Sequence, residues 1–334
     1  SEKTFNFNPN SIIGNTVPNG TQYTWTTPTF TPNSSIIGAS AETTPQNLVS
    51  QTLENTGTIP IKVNYIITPA TTKCVGDSFT LEVIVNPNIN SNAVVSDNSC
   101  FNSNDGSITT NIIGGVPFIT GTPYLINWTG PNGFSSNDAT ITNLEAGEYT
   151  LRIDDKEGYF IIKKFSVYEP ALLSITSVIE KNISCFQGND GAIEVIISGG
   201  TSPYIYNWTT TNGSGIIGNT KNQNTLTAGN YTLEIIDKNN CSTSTGFVLN
   251  EPSGLKIETV SKQDILCFGE ATGNITIDVT GGTKTEISPG VFDYEYSWTG
   301  PNNFTSTSKN VNNLIAGTYN LGVIDNLGCT TNTS

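Results

Sequence analysis

The chain has 334 residues, 35% of them hydrophobic and 13% charged, with 28 acidic against 14 basic side chains and a formal charge of −14. That length and apolar content supply several small cores rather than one large one, and the acidic balance argues against nucleic acid as a partner. Histidine is absent, which removes the commonest general base and metal ligand and every Ser-His or Cys-His pair, so neither an enzyme nor a metal or other cofactor is expected.

The first residues, SEKTFNFNPN, lack the basic-then-apolar form of a signal peptide. No apolar run approaches the roughly 20 residues of a membrane span, so membrane insertion is not expected. Both ends look like cuts in a longer chain. Asn, Thr, Ser and Gly stand between β-branched and aromatic residues, the habit of secreted β-proteins. In residues 1–88, YTW at Tyr23–Trp25 and the runs IKVNYIITP and FTLEVIVNP alternate apolar with polar, predicting strands of a small sandwich. Cys74 lies in the turn between the last two.

Beyond that the chain repeats itself, with Trp128, Trp208 and Trp298 spaced 80 and 90 residues apart. Each unit opens with a cysteine: CFNSNDGSI from Cys100, CFQGNDGAI from Cys185 and CFGEATGNI from Cys267. An alternating strand follows, with Ile193, Val195 and Ile197 on one face in the second copy and Ile275, Ile277 and Val279 in the third; a Gly-Gly pair ends it. The next strand, YLINW, YIYNW or YEYSW, puts Tyr204, Tyr206 and Trp208 on one side. After a variable stretch come Leu-x-Ala-Gly-x-Tyr, a strand such as YTLEIID, a polar turn, and a closing strand that ends on Glu169-Pro170 or Glu251-Pro252. Because Pro cannot donate to a ladder, these dipeptides mark linkers. The expected modules are 1–88, 89–170, 171–252 and 253–334. The last stops at CTTNTS where the second continues STSTGFVLNEP, so its final strand is expected to be missing.

A Trp on a middle strand and a Tyr just inside the penultimate one form the core pattern of an immunoglobulin-like sandwich. Trp128, Trp208 and Trp298 take the first role, and Tyr149, Tyr231 and Tyr319 the second. The fold class is therefore all-β, a linear array of tandem immunoglobulin-like sandwiches. The antibody inter-sheet disulfide is absent, since Leu151, Leu233 and Leu321 occupy the inward positions two residues on.

In a sandwich with its ends at opposite poles, Cys241 lies a strand length from Cys185 of its own unit, on the order of 20 Å, whereas a disulfide needs α-carbons within about 7 Å. The neighbouring unit is nearer across a two-residue linker. The preferred scheme pairs Cys100 with Cys241 and Cys185 with Cys329, leaving Cys74 and Cys267 without partners in these residues. On that scheme position 159, the counterpart of Cys241 and Cys329, has no cysteine to meet, and Tyr159 costs nothing there. The alternative pairs Cys185 with Cys241 and Cys267 with Cys329, since spacing alone does not fix connectivity. Either scheme implies an oxidising, extracellular setting.

The string Cys-Phe-x-Gly-x-Asp-Gly-x-Ile, Gly-Gly-Thr-x-Pro-Tyr-x-Tyr-x-Trp, Leu-x-Ala-Gly-x-Tyr-Thr-Leu and Ile-Asp-x-x-x-Cys, clearest from Cys185 to Cys241, resembles the SprB-type repeat of cell-surface adhesins of gliding Bacteroidota. NGTQYTW, SQTLENT and VNYIITPATTKCVGDSFTLEVIVNP resemble the PKD-like module found in such proteins. The resemblance implies a very long filament, exported by the type IX system, moved along the cell surface by the gliding machinery and attached to a substratum. Departures from the repeat are Tyr159 for Cys, Thr272 for the turn Asp, and the longer loop GGTKTEISPGVFDYEYSW.

Asp105-Gly106 and Asp190-Gly191 suit calcium less than they suit a tight turn, because Thr272 replaces the carboxylate in the third copy. Asp154, Asp155, Asp237 and Asp325 begin hairpins and need no metal. The aromatic stripes belong in cores rather than on a sugar-stacking platform, and the Gly-Gly pairs lack the helix of a phosphate loop. The leading expectation is a structural, adhesive section of a surface filament, a rod of four units about 120 to 160 Å long at ~30 to 40 Å each. Its partners are neighbouring repeats of the same chain, with surface polysaccharide or substratum as ligand and the secretion machinery engaged through other parts. The alternative is an array of carbohydrate-binding modules that uses loops such as TTTNGSGIIGNTKNQN.

Overall fold

A computed structural model describes residues 3–12, 17–32 and 35–334. The chain divides into two compact units, Ser1–Glu169 and Pro170–Ser334. Among the described residues each unit holds two hydrophobic cores, each built round one tryptophan: Trp25 and Trp128 in the first, Trp208 and Trp298 in the second.

The repeated sequence folds into repeated sandwiches. In the first copy, Thr140–Leu144, Gly106–Ile113 and Asn90–Ser96 form one antiparallel sheet. Ser135–Ser136, Leu125–Thr129, Gly147–Asp154 and Phe160–Val167 form the other. The same strand order recurs in the third copy and, without a counterpart of the short strand Ser135–Ser136, in the second. Alternation drives the pairing of faces: along Gly147–Asp154, Tyr149, Leu151 and Ile153 point inward and are essentially inaccessible. Trp128, Trp208 and Trp298 are buried, and each indole N–H donates to a loop carbonyl, that of Asp138, Thr220 or Ser308 at 2.9 to 3.1 Å. Tyr149, Tyr231 and Tyr319 donate their hydroxyls to the carbonyl four residues back, at Glu145, Thr227 and Ile315. These bonds clamp the corner before the penultimate strand, the corner of an immunoglobulin-like sandwich.

The first module has a related plan. Lys3–Phe7, Val49–Asn55 and Ile36–Ile37 make one sheet. Ile61–Ala70 is the centre of the other, flanked by Thr29–Thr31, Gln22–Trp25 and Phe79–Val85.

Three features differ from the sequence expectation. Each repeat opens one strand earlier than its cysteine, with Asn90–Ser96, Ser174–Lys181 and Lys256–Gln263 hydrogen-bonded to the strand that follows the cysteine turn. These strands sit at a sheet edge; Lys256–Gln263 buries almost nothing, and Asn90–Ser96 alternates in burial but puts Ser91 inside and Val94 outside, so its hydropathy shows no period. The closing strand of the third copy is present, shortened to Thr330–Thr333 and paired with Asn320–Ile324. The long loop of that copy is a hairpin, Thr285–Ser288 against Val291–Asp293, turning at Pro289-Gly290 with Gly290 at φ 78°.

Candidate functional site: the junction between repeats

The functional residues gather at the two poles of each sandwich. At one pole the hairpin between the last two strands is built on a buried carboxylate. In the second copy Asp237 Oδ1 accepts the N–H groups of Asn239 and Cys241 at 2.8 and 2.9 Å, while Oδ2 accepts that of Thr201 at 2.8 Å. Asp155 and Asp325 do the same in their copies, accepting from Glu157, Tyr159 and Val116, and from Leu327, Cys329 and Thr283. One side chain thus ties the hairpin to the residue after the Gly-Gly pair and fixes the backbone of position 159, 241 or 329. The glycines are required there: Gly199 and Gly200 have φ of 70° and 63°, and a Cβ on Gly199 would stand 2.0 Å from the Leu172 carbonyl oxygen.

At the other pole the cysteine turn is closed by a side-chain acceptor six residues along the chain. Asp105 Oδ1 accepts the Ser99 N–H at 3.0 Å and Asp190 Oδ1 the Ser184 N–H at 2.9 Å. In the third copy the Thr272 hydroxyl accepts the Leu266 N–H at 3.0 Å. Threonine therefore fills the role of the aspartates, and the carboxylates are turn caps. The Ser103 hydroxyl, followed by the hydroxyl and N–H of Ser99, holds the Asp105 carboxyl down to about 2. The Ser184 hydroxyl and N–H, then Lys181, hold Asp190 below the usual carboxylate range. Among the described residues no group of three or more His, Cys, Asp or Glu is placed to hold a metal.

The Glu-Pro dipeptides do more than end a strand. Glu169 accepts the Asn102 N–H at 2.6 Å, and Glu251 accepts the Gln187 N–H. Asn102 and Gln187 have φ of 56° and 58°, a left-handed conformation that non-glycine residues adopt at a cost. The equivalent residue of the third copy is Gly269, at φ 83°. On sequence the glutamates read only as linker marks; their recurrence two residues after the closing strand is the available signal for a turn lock.

Within the second unit the poles of successive copies meet. Cys185 and Cys329 are joined by a disulfide with α-carbons 5.6 Å apart, closing a separation of 144 residues. This bond excludes the pairings of Cys185 with Cys241 and of Cys267 with Cys329. Beside it the Phe186 ring lies against the linker, 3.0 Å from where a Cβ on Gly254 would stand. Cys100 and Cys241 are each disulfide-bonded, and Cys74 and Cys267 are free and exposed. Within the first unit Tyr159 occupies the cysteine position, and the Lys3 ammonium stands 3.5 Å above its ring. Tyr159 therefore makes a cation–π contact with the preceding module and is more than a neutral replacement. Among the described residues no helix is long and apolar enough to cross a membrane.

Antiparallel sandwiches repeated along one chain and linked through sulfur at a junction define a tandem immunoglobulin-like repeat protein. Residues 1–89 match the PKD-like domain. Residues 92–133, 177–213 and 259–303 match the SprB repeat. The chain is a PKD-like domain followed by SprB repeats. A search of curated proteins finds no match. Among solved structures, the eight N-terminal Ig domains of Down Syndrome Cell Adhesion Molecule are 13% identical, covering 86% of this chain and 40% of that one, with a TM-score of 0.33. Sidekick-1 immunoglobulin domains 1–5 are 9% identical over 99% of this chain and 75% of theirs, with a TM-score of 0.33. Invasin, a bacterial integrin-binding protein, is 12% identical over 99% and 78%, with a TM-score of 0.30. Likeness this low says nothing about what this chain binds.

Proposed function

We propose that this chain is a load-bearing, adhesive section of an extracellular surface filament of a gliding bacterium, divided into modules at 1–88, 89–170, 171–252 and 253–334 and performing no catalytic step. The observation that carries the reading is the disulfide from Cys185 to Cys329, which couples two repeats of a family of cell-surface proteins. Short linkers alone leave a string of beads free to bend. A covalent bond on one side of a linker, with Phe186 packed beside it, restricts that bending and shares load between neighbours. The repetition of the same cysteine positions supports a second staple, Cys100 to Cys241, at the preceding junction. Export by the type IX system and movement by the gliding machinery belong to the same reading, as does attachment to polysaccharide or another substratum. Aromatic residues packed inside the cores favour this structural role over a sugar-stacking one.

Non-reducing digestion with mass spectrometry tests the staples: peptides joining Cys100 to Cys241 and Cys185 to Cys329 are expected, and Cys185 joined to Cys241 would overturn the scheme. Antibodies against the chain are expected to label the outside of intact cells and to reduce their attachment; labelling only after permeabilisation would refute the surface role.

A further inference from the structure

In each repeat the opening strand lies at a free sheet edge, where backbone groups without a neighbour invite pairing with another chain. Bulges and charges guard that edge in the second and third copies. Ser174–Lys181 breaks register between Ser177 and Ile179 and bears Glu180 and Lys181; Lys256–Gln263 breaks it between Thr259 and Ser261 and bears Lys256, Glu258 and Lys262. Asn90–Ser96 has neither device. It runs in unbroken register against Gly106–Ile113, carries no charge, and leaves Val94 75% exposed.

The edge of that strand is instead held from the strand that closes the repeat. Lys163, on Phe160–Val167, donates its ammonium to the Ser91 carbonyl and, at 2.8 Å, to Asn90 Oδ1; the same Oδ1 accepts the Ser91 N–H at 2.8 Å. At the far end the Asn98 N–H donates to the Tyr168 carbonyl at 2.9 Å, and the Tyr168 N–H to Asp97 Oδ1 at 2.9 Å. Backbone groups alternate in direction along a strand, so those of Ser91, Ala93 and Val95 face the same side. The two ties leave Ala93 and Val95 between them. By register Lys163 stands where the other copies have Thr245 and Thr333, and Ser91 where they have Ile175 and Ile257. The exchange has a cost, because Ser91 is buried and its hydroxyl has no hydrogen-bond partner among the described residues. Two residues differ together, and together they close the one opening edge that has neither bulge nor charge.

We propose that Lys163 is a guard: its ammonium, with Asn90, occupies the free edge of Asn90–Ser96 and keeps that strand from pairing with the same strand of a second copy of this chain. Without the ammonium the uncharged edge is open over Ser91, Ala93 and Val95. Two copies then join antiparallel about a two-fold axis, merging two three-stranded sheets into one. The inference rests on the fold and not on the load-bearing reading, so the failure of either leaves the other standing.

The test is sedimentation velocity of the full chain at about 0.15 M salt, which screens the net charge of −14, with Cys74 and Cys267 alkylated so that thiol exchange adds no dimer. The parent chain is expected to stay monomeric. Lys163→Thr should tighten self-association by about tenfold or more, the equivalent of one charge-assisted hydrogen bond. Lys163→Met, which keeps the stem and removes only the charge, should do the same, and the fluorine resonance of Trp128 in a 5-fluorotryptophan-labelled chain reports that the repeat stays folded. In the dimer, hydrogen exchange at the Ala93 and Val95 amides should slow. Adding Val94→Lys should restore the monomer, because like charges then crowd the joined edge. Lys164→Met, which removes the neighbouring lysine that pairs with Glu148, should leave the chain monomeric. A folded Lys163→Met chain that stays monomeric with fast exchange at Ala93 and Val95, or a dimer protected elsewhere and indifferent to Val94→Lys, would overturn the proposal.

Discussion

Replacing Asp237 by asparagine probes the pole on which the cysteine hairpin rests. The carboxylate is 3% exposed and accepts three backbone N–H groups, two on one oxygen and one on the other. If the amide oxygen stays on the hairpin, its NH₂ faces the Thr201 N–H, and two donors meet with no acceptor between them. The loss is one charge-assisted hydrogen bond with a buried donor left unpaired, about 2 to 3 kcal/mol. With a urea dependence of about 1 kcal/mol per molar for a module of this size, the unfolding midpoint falls by roughly 2 to 3 M. The sequence provides a reporter, because its four tryptophans are distributed one to each core. In a chain labelled with 5-fluorotryptophan, each fluorine resonance follows its own module through a urea titration. The Trp208 signal is expected to move to lower urea while Trp25 and Trp128 stay in place. A Trp208 midpoint within about 0.3 M of the parent chain would refute the assignment of the carboxylate as the pole's anchor.

The same resonances check four further expectations. Asp105 and Asp190 have lower pKa values folded than unfolded, so their contribution is present above pH ~4 and is lost as pH falls toward about 2; acid titration should weaken the Trp128 and Trp208 modules more than the Trp298 module, where Thr272 does not ionise. Tyr231→Phe removes a bond to the Thr227 carbonyl and an acceptor for the Ser214 N–H, costing about 1 to 2 kcal/mol in the Trp208 transition. Cys185→Ser, or reduction by dithiothreitol, should lower the Trp208 and Trp298 midpoints together, by about 2 to 5 kcal/mol on the loop-closure estimate. Lys3→Ala should cost about 0.5 to 1 kcal/mol at the Trp25 and Trp128 signals, and Tyr159→Phe, which keeps the ring, should cost nothing there.

Residues whose burial follows a period are readable in the sequence: the Tyr–Tyr–Trp stripe, the corner tyrosines and the strand Gly229–Ile236 all announce themselves by alternation. The opening strand of the repeat is not: Asn90–Ser96 alternates in burial but carries Ser91 on its inner face and Val94 on its outer one, and Lys256–Gln263 buries almost nothing. The segment 285–293 reads as loop, although Pro289-Gly290 between short alternating runs is a hairpin signal. Glu169 and Glu251 show in the sequence only as neighbours of proline; their work on the Asn102 and Gln187 N–H groups depends on a left-handed backbone that side-chain pattern does not report.

Position 159 shows how the repeat separates its fold from its connections. Asp155 holds the Tyr159 N–H at 2.9 Å as Asp237 holds that of Cys241 and Asp325 that of Cys329, so the hairpin forms from backbone bonds whatever side chain is attached. Freed from the demands of folding, that side chain answers to the neighbouring module. Opposite Cys185 it is a cysteine and the contact is covalent; opposite Lys3 it is an aromatic ring and the contact is electrostatic. Thr272 makes the same point at the other pole, where a hydroxyl closes the turn as well as a carboxylate does but without an ionisable group. A module built this way tolerates exchange at its poles without refitting its core, which lets one sandwich serve in succession while each junction is set by a single pair of residues.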